Sequence, residues 1–234
     1  MVAAGADGRA RSGGGRIAAG LPGVTGVDTM LERLHWLGHD AFRISGATTI
    51  YLDPFQLEPG PPADLILLTH PHRDHCSPDD LAKIAGPQTL LVGTADTLAP
   101  LSGARRTIAV GETLTFGTVT VEAVPAYNLD KPFHPKASGW VGYLVTVEGA
   151  RIYHAGDTDR IPEMKAIRAD IALLPVGGTY TMTAAEAALA ARDIAPKLAI
   201  PMHYGAVVGT DADARRFAAA LQGKIPVVIK TREP

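Results

Sequence analysis

Short aliphatic and β-branched runs separated by Gly, Pro, Asn and Asp recur along the chain, and each predicts a strand. They fall at 30–37, 41–44, 49–52, 65–69, 89–92, 106–109, 114–116, 119–125, 141–147, 151–154, 171–174, 199–201 and 227–230. Helical signals are fewer and sharper. Ser77 is followed by Pro78, Asp79 and Asp80: a capping residue, a proline at the first helical position and negative charge at the positive end of the dipole. That predicts a helix over 77–85. Thr183-Ala184-Ala185-Glu186 reads as a capping box ahead of an Ala-rich run to Arg192, with a second Ala-rich helix at 211–222 and a shorter one at 162–167. Strands interleaved with helices predict an α/β (α+β) chain built as two sheets packed face to face and flanked by helices.

The 234 residues, 46% hydrophobic and 20% charged, suffice for one substantial core, so a single domain is expected over 28–234. The Gly- and Ala-rich stretch 1–27 carries Arg9, Arg11 and Arg16 but no continuous apolar run, and reads as a flexible N-terminal tail. A net charge of -2 without any basic cluster gives no footprint for nucleic acid or an anionic membrane, so the expected partner is a small-molecule substrate. No segment is long and apolar enough to span a membrane. One cysteine rules out an intramolecular disulfide and agrees with a cytoplasmic location. The oligomeric state is left open by these patterns.

The chemistry concentrates in Thr69-His70-Pro71-His72-Arg73-Asp74-His75-Cys76, three imidazoles and a carboxylate within six residues, directly after an apolar strand. Pro71 keeps His70 extended, so His70, His72 and Asp74 share a side and converge, with His75 entering as the chain turns into the capped helix. Imidazole and carboxylate donors suit zinc, manganese or iron(II), and four donors at this density exceed what one ion takes from one loop, which points to two adjacent metals. Asp53 closes a strand before Pro54; a carboxylate buried there needs a partner, and the ring N–H of a metal-bound histidine would serve. The long loop 127–139 carries Lys136, and Arg160 follows soon after Asp157; both are candidates for meeting an anionic substrate group.

The run His70-x-His72-x-Asp74-His75 after a strand resembles the metallo-β-lactamase superfamily of metal-dependent hydrolases. Tyr153-His154-Ala155-Gly156-Asp157-Thr158 is similar to the family's G-D-T turn, and Pro201-Met202-His203 to its last histidine. Trp36-Leu37-Gly38-His39-Asp40 and Leu52-Asp53-Pro54-Phe55 resemble the branch that includes L-ascorbate-6-phosphate lactonase. The resemblance implies a four-layer αββα sandwich holding two divalent metal ions, Zn2+ or Mn2+ with Fe2+ as a further option. It places His70 and His72 on the first metal, Asp74, His75 and His203 on the second, and Asp157 between them. The chain departs from the pattern where relatives carry a third histidine for the first metal: here Asn128 stands, and His134 is the candidate replacement or a substrate contact. His39 is expected to line the cavity near the metals.

A metal pair of this kind activates a water, so no serine or cysteine nucleophile is required, and Asp74 or Asp157 can accept a proton. No Ser-His-Asp elbow, P-loop or dinucleotide fingerprint competes. The sequence thus predicts a metal-dependent hydrolase of a small ester, lactone, amide or phosphoester. Its rivals are a non-haem iron redox enzyme on the same scaffold and a non-catalytic metal-binding protein.

Overall fold

The computed structural model describes residues 25–234. The helix α1 (Thr25–Arg33) leads into β1 (Leu34–Gly38), β2 (Ala41–Ile44), β3 (Ile50–Leu52), β4 (Ala63–Leu67), β5 (Ala85–Gly93) and β6 (Ala104–Thr107), which lie in that order across the first sheet. The helix α2 (Pro78–Ile84) joins β4 to β5, and α3 (Ala95–Leu98) follows β5. The second sheet contains β7 (Thr113–Phe116), β8 (Val119–Pro125), β9 (Val141–Val147), β10 (Ala150–His154), β11 (Ile171–Pro175) and β12 (Leu198–Met202), again in sequence order. Between β11 and β12 runs α4 (Ala184–Ile194), and α5 (Asp211–Leu221) follows β12. Strands β3 to β6 pair in parallel, as do β10 to β12. The remaining pairs are antiparallel.

Strand alternation sorts the side chains. In β4, Leu65 and Leu67 enter the large core between the sheets with Phe42, Val92, Val121, Tyr143 and Ile152. Ile66 and Leu68 point the other way, into a second cluster with Leu81, Ile84 and Leu98 from α2 and α3. β11 is buried along its length, as expected of a parallel strand covered on both faces. α4 covers the second sheet with a face of Ala187, Ala188, Ala190, Ala191 and Ile194, closed at its start by the Thr183–Glu186 capping box. The layers are therefore helix, sheet, sheet, helix, and parallel crossovers bring the C-terminal ends of β4, β10 and β12 to one edge.

Three sequence expectations need correction. The run 30–37 is not one strand: 30–33 finish α1. Val27, Met30, Leu31 and Leu34 follow helical spacing, and all but the partly buried Leu31 are sealed in the core. The run 227–230 forms no strand, only a bridge of Val227 to Ala199, because Lys230 turns back to donate to the Leu31 carbonyl. The segment 162–167 is a tight 3-10 turn over Pro162–Ala166. As for the predicted tail, 25–27 belong to α1 and the rest lies outside the described residues.

Candidate metal centre

The strand β4 ends at Leu67, and its exit is fastened on both sides. Tyr143 donates its hydroxyl to the Leu68 carbonyl at 2.7 Å, and Asp53, at the end of β3, accepts from Thr69 N at 2.8 Å. The chain stays extended through His70 and His72 and then turns, with His75 N and Cys76 N both donating to the His72 carbonyl. The expected convergence of His70, His72 and Asp74 therefore holds for the histidines alone. The turn carries Asp74 to the far side, where its Oδ2 meets His39 Nε2 at 3.1 Å. Asp80 of α2 accepts from Gln56 N and Leu57 N, which ties the Asp53 loop to the helix that Ser77 caps.

Two groups of donors result. His70, His72 and His134 form one: His70 Nε2 and His134 Nε2 lie 3.0 and 3.2 Å from His72 Nδ1. His39, Asp74, His75 and His203 form the other. Asp157 touches both, its Oδ2 being 3.2 Å from His134 Nε2 and 3.1 Å from His203 Nε2, with Oδ1 3.3 Å from His75 Nε2.

The ring tautomers are set from behind. Thr69 donates its hydroxyl to Asp53 Oδ2 at 2.6 Å and so accepts from His70 Nδ1 at 3.0 Å, while His75 Nδ1 donates to the same Asp53 oxygen at 2.8 Å. Asn128 plays the equivalent part for His134, its Oδ1 accepting from both His134 N and Nδ1. Both ends of the Asn128 amide are thus spent, Oδ1 on His134 and Nδ2 on the Tyr180 carbonyl. Each of these rings presents Nε2 to the cluster.

A cation fits this arrangement. His70 and His134 spend their ring protons on Thr69 and Asn128, so both aim lone pairs at His72, which has one proton to share. Tetrahedral zinc with Zn–N of about 2.0–2.1 Å would hold neighbouring nitrogens about 3.3–3.4 Å apart, close to the spacing seen. Where the two groups meet at Asp157, buried His75 Nε2 and Asp157 Oδ1 have no hydrogen-bond partner.

Burial pushes His70 and His72 below the ordinary imidazole value, aided by the neighbouring histidines, and leaves them neutral as ligation requires. Burial also drives His39 down to about 4. For His75 and His203 burial is outweighed by Asp157, joined by Asp53 at His75 and Asp40 at His203, and both are held above 6.5. Asp157 is correspondingly held well below the carboxylate range, where burial loses to His203 and His75.

Lys136 and Arg160 are engaged elsewhere. Lys136 donates to Tyr127 Oη and Glu163, and Arg160 pairs with Asp193 of α4 at 2.6 Å. Sequence reasoning missed Trp140, whose ring centre lies 5.1 and 5.0 Å from those of His70 and His72 while its Nε1 donates to Asp96. Gly177 matters as well. A Cβ there would sit 2.4 Å from the His203 carbonyl and 2.9 Å from its Nδ1, so only glycine lets this backbone pass. Neither residue carries a signal in a single sequence, since both act through tertiary contact.

Facing six-stranded sheets covered by helices, with a histidine and aspartate cluster where the strands end, define the class as a metallo-β-lactamase fold. The chain belongs to the Beta-lactamase superfamily domain family, whose profile matches residues 33–203, and within it to the metal-dependent hydrolases. It is 33% identical over 213 residues to a UPF0173 metal-dependent hydrolase of Methanoculleus marisnigri, covering 86% of this chain and 94% of that one. A UPF0173 metal-dependent hydrolase of Thermoplasma acidophilum is 36% identical over 204 residues, covering 80% of this chain and 89% of that protein. Among solved structures, a chain from Parabacteroides distasonis assigned as a metal-dependent hydrolase superposes with a TM-score of 0.77 at 34% identity, covering 84% of this chain and 91% of its own. Igni18, a metallo hydrolase of Ignicoccus hospitalis, shares the fold at 22% identity and a TM-score of 0.69, covering 86% of this chain and 95% of its own. Among the described residues no helix is long and apolar enough to cross a membrane.

Proposed function

We propose that this protein holds two divalent cations and hydrolyses a small ester, lactone, amide or phosphoester. His70, His72 and His134 would hold the first, and Asp74, His75 and His203 the second. Asp157 would join the two. The observation that carries the reading is the position of Asp157, one buried carboxylate in contact with histidines of both groups. The three imidazoles of the first group favour zinc over manganese, which prefers oxygen donors.

When bound, such a cation pair lowers the pKa of a water towards about 7 and offsets charge developing on the attacked group. The chain's own residues do the rest. Asp53 and Asn128 keep the ring protons of His75 and His134 at Nδ1, so that Nε2 faces inwards. His39 holds Oδ2 of the half-buried Asp74, leaving Oδ1 to accept a proton at the open edge of the cluster. Trp140 packs against the rings of His70 and His72 and walls one side of the first group. The test is elemental analysis of purified protein together with turnover of a panel of nitrophenyl esters, lactones and phosphodiesters. Two metals per chain and turnover that disappears in His72→Ala are expected; full turnover in that variant refutes the reading.

A further inference from the structure

A cavity of about 560 Å³ adjoins the cluster on the side away from His72, and the two share a wall. That wall is His39: its Nε2 is bonded to Asp74 on one side, while its ring lines the cavity on the other. The floor is aromatic, with Trp36 and Tyr204 stacked at 4.8 Å between ring centres and 28° between planes. Phe55 lines both this cavity and the shallower one that reaches Asp74, so the two are neighbours along one groove.

The charge of this cavity is unbalanced. Arg215 of α5 and Lys230 and Arg232 of the C-terminal segment all line it. Arg232 donates to the carbonyls of Leu37 and Gln56, and Lys230 to that of Leu31. Main-chain carbonyls hold these side chains in place but do not neutralise them. Arg215 makes no hydrogen bond or ion pair among the described residues. Facing the three cations is a single lining carboxylate, Asp211, and it is not ion-paired to any of them. Burial lowers the Lys230 pKa and outweighs the opposing pull of Glu233, which does not line the cavity. A concavity with excess charge of one sign concentrates ions of the other, and guanidinium groups pair with carboxylate and phosphate in two-point geometry.

We infer that this cavity is the subsite for an anionic group of the substrate, a carboxylate or phosphate borne on a flat or apolar body. Arg215 grips the anion, Arg232 and Lys230 supply fixed positive potential, and the Trp36–Tyr204 stack takes the body. The assignment rests on the hydrolase reading only in calling the ligand a substrate. It narrows that reading to substrates short enough to reach across the His39 ring from the anion to the cluster.

The experiment titrates glutarate and, separately, inorganic phosphate into the metal-loaded full chain by calorimetry, for the native protein, Arg215→Ala and Arg215→Lys. Millimolar or tighter binding of at least one anion is expected. Arg215→Ala should weaken it about tenfold with metal content per chain unchanged, and Arg215→Lys should restore part of the loss. Whichever anion binds more tightly identifies the headgroup. In parallel, turnover of mono-(4-nitrophenyl) succinate is compared with that of uncharged 4-nitrophenyl butyrate. The native protein should prefer the anionic ester, and Arg215→Ala should erase the preference. Equal affinity in native protein and Arg215→Ala would place any anion on the metals and overturn the subsite, as would absence of binding for both anions. Arg215-dependent binding without turnover of either ester would uphold the subsite and count against hydrolysis.

Discussion

Replacing Asp53 by Asn changes one atom and should disturb both metal groups at once. Asp53 is fully buried and accepts three hydrogen bonds: from Thr69 N at 2.8 Å, Thr69 Oγ1 at 2.6 Å and His75 Nδ1 at 2.8 Å. An amide has one acceptor oxygen to offer. If that oxygen keeps Thr69 N, the amide NH2 faces Thr69 Oγ1 and His75 Nδ1. The Thr69 hydroxyl must then accept, turning its own proton towards His70 Nδ1, and His75 must present Nδ1 as an acceptor. Both rings are left with their proton on Nε2, the atom a metal needs free. The opposite amide orientation sets NH2 against the Thr69 N–H, a buried donor–donor clash of roughly 1–3 kcal/mol. Loss of an orienting partner typically lowers metal affinity about 10–100-fold, or roughly 1.4–2.7 kcal/mol, and here two ligands lose theirs. Competition with a chromophoric chelator should therefore show Asp53→Asn weakened at least about tenfold for zinc, with thermal stability of the metal-free protein lowered by about 1–3 kcal/mol. Native affinity in a folded Asp53→Asn variant would refute the tautomer argument.

Other outcomes follow from the same geometry. His134→Ala should reduce bound metal by about one ion per chain in elemental analysis, and Asn128→Ala should weaken it about tenfold while leaving the ligand in place. His75 and His203 have their pKa values raised above 6.5 in the metal-free fold, so their stabilising charge is complete below about pH 6.5 and is lost as pH rises through the folded values. Metal must displace those protons, so the rise in melting temperature on adding zinc should be larger at about pH 8 than at about pH 6. Cys76 is buried and its thiol is pushed up to about 11, chiefly by burial, so iodoacetamide should leave the folded protein unmodified at about pH 8 and react only on unfolding. Gly156 has φ +60 and stands where a Cβ would meet Thr69 at 3.1 Å, so Gly156→Ala should cost about 1–3 kcal/mol by denaturant titration.

Much of the frame is legible in sequence because local rules and tertiary environment agree there. β2, β8 and β9 match the predicted runs at both ends, and the caps at Ser77 and Thr183 mark α2 and α4. The histidine-rich loop is legible for the same reason, since Pro71, the buried strand and the cap all act within a few residues. What fails is periodicity across a junction: 30–37 passes for one strand, although its first residues complete a helix whose buried positions, Val27, Met30 and Leu34, follow helical spacing. In the site, His134 is legible as a candidate to stand with His70 and His72, where the structure places it, but the part played by Asn128 is not. Asn128 and His134 are six residues apart, and only the folding back of the loop, fixed by Asn128 N donating to the His134 carbonyl at 2.7 Å, turns an amide into an orienting acceptor.

The backbone itself shows why the site sits at this edge. His39, Asp53 and His203 all have positive φ, at 51°, 42° and 59°, a region that costs a residue with a Cβ roughly 1–2 kcal/mol. Each lies just past a strand end, where the sheet no longer dictates the dihedrals. Each is also over-determined by bonds from outside: the His39 carbonyl accepts from Trp36 Nε1 at 2.9 Å and from His203 N at 3.1 Å, and Asp53 N donates to the Leu67 carbonyl at 3.0 Å. The bond between His203 N and the His39 carbonyl joins the end of the second sheet's edge strand to the turn after β1 in the first. Strain and its compensation therefore lie on one line across the sandwich. A donor set assembled this way is fixed by the fold alone, so its rings would need little further ordering to take up a metal, and the cost is carried by the packed sheets behind them.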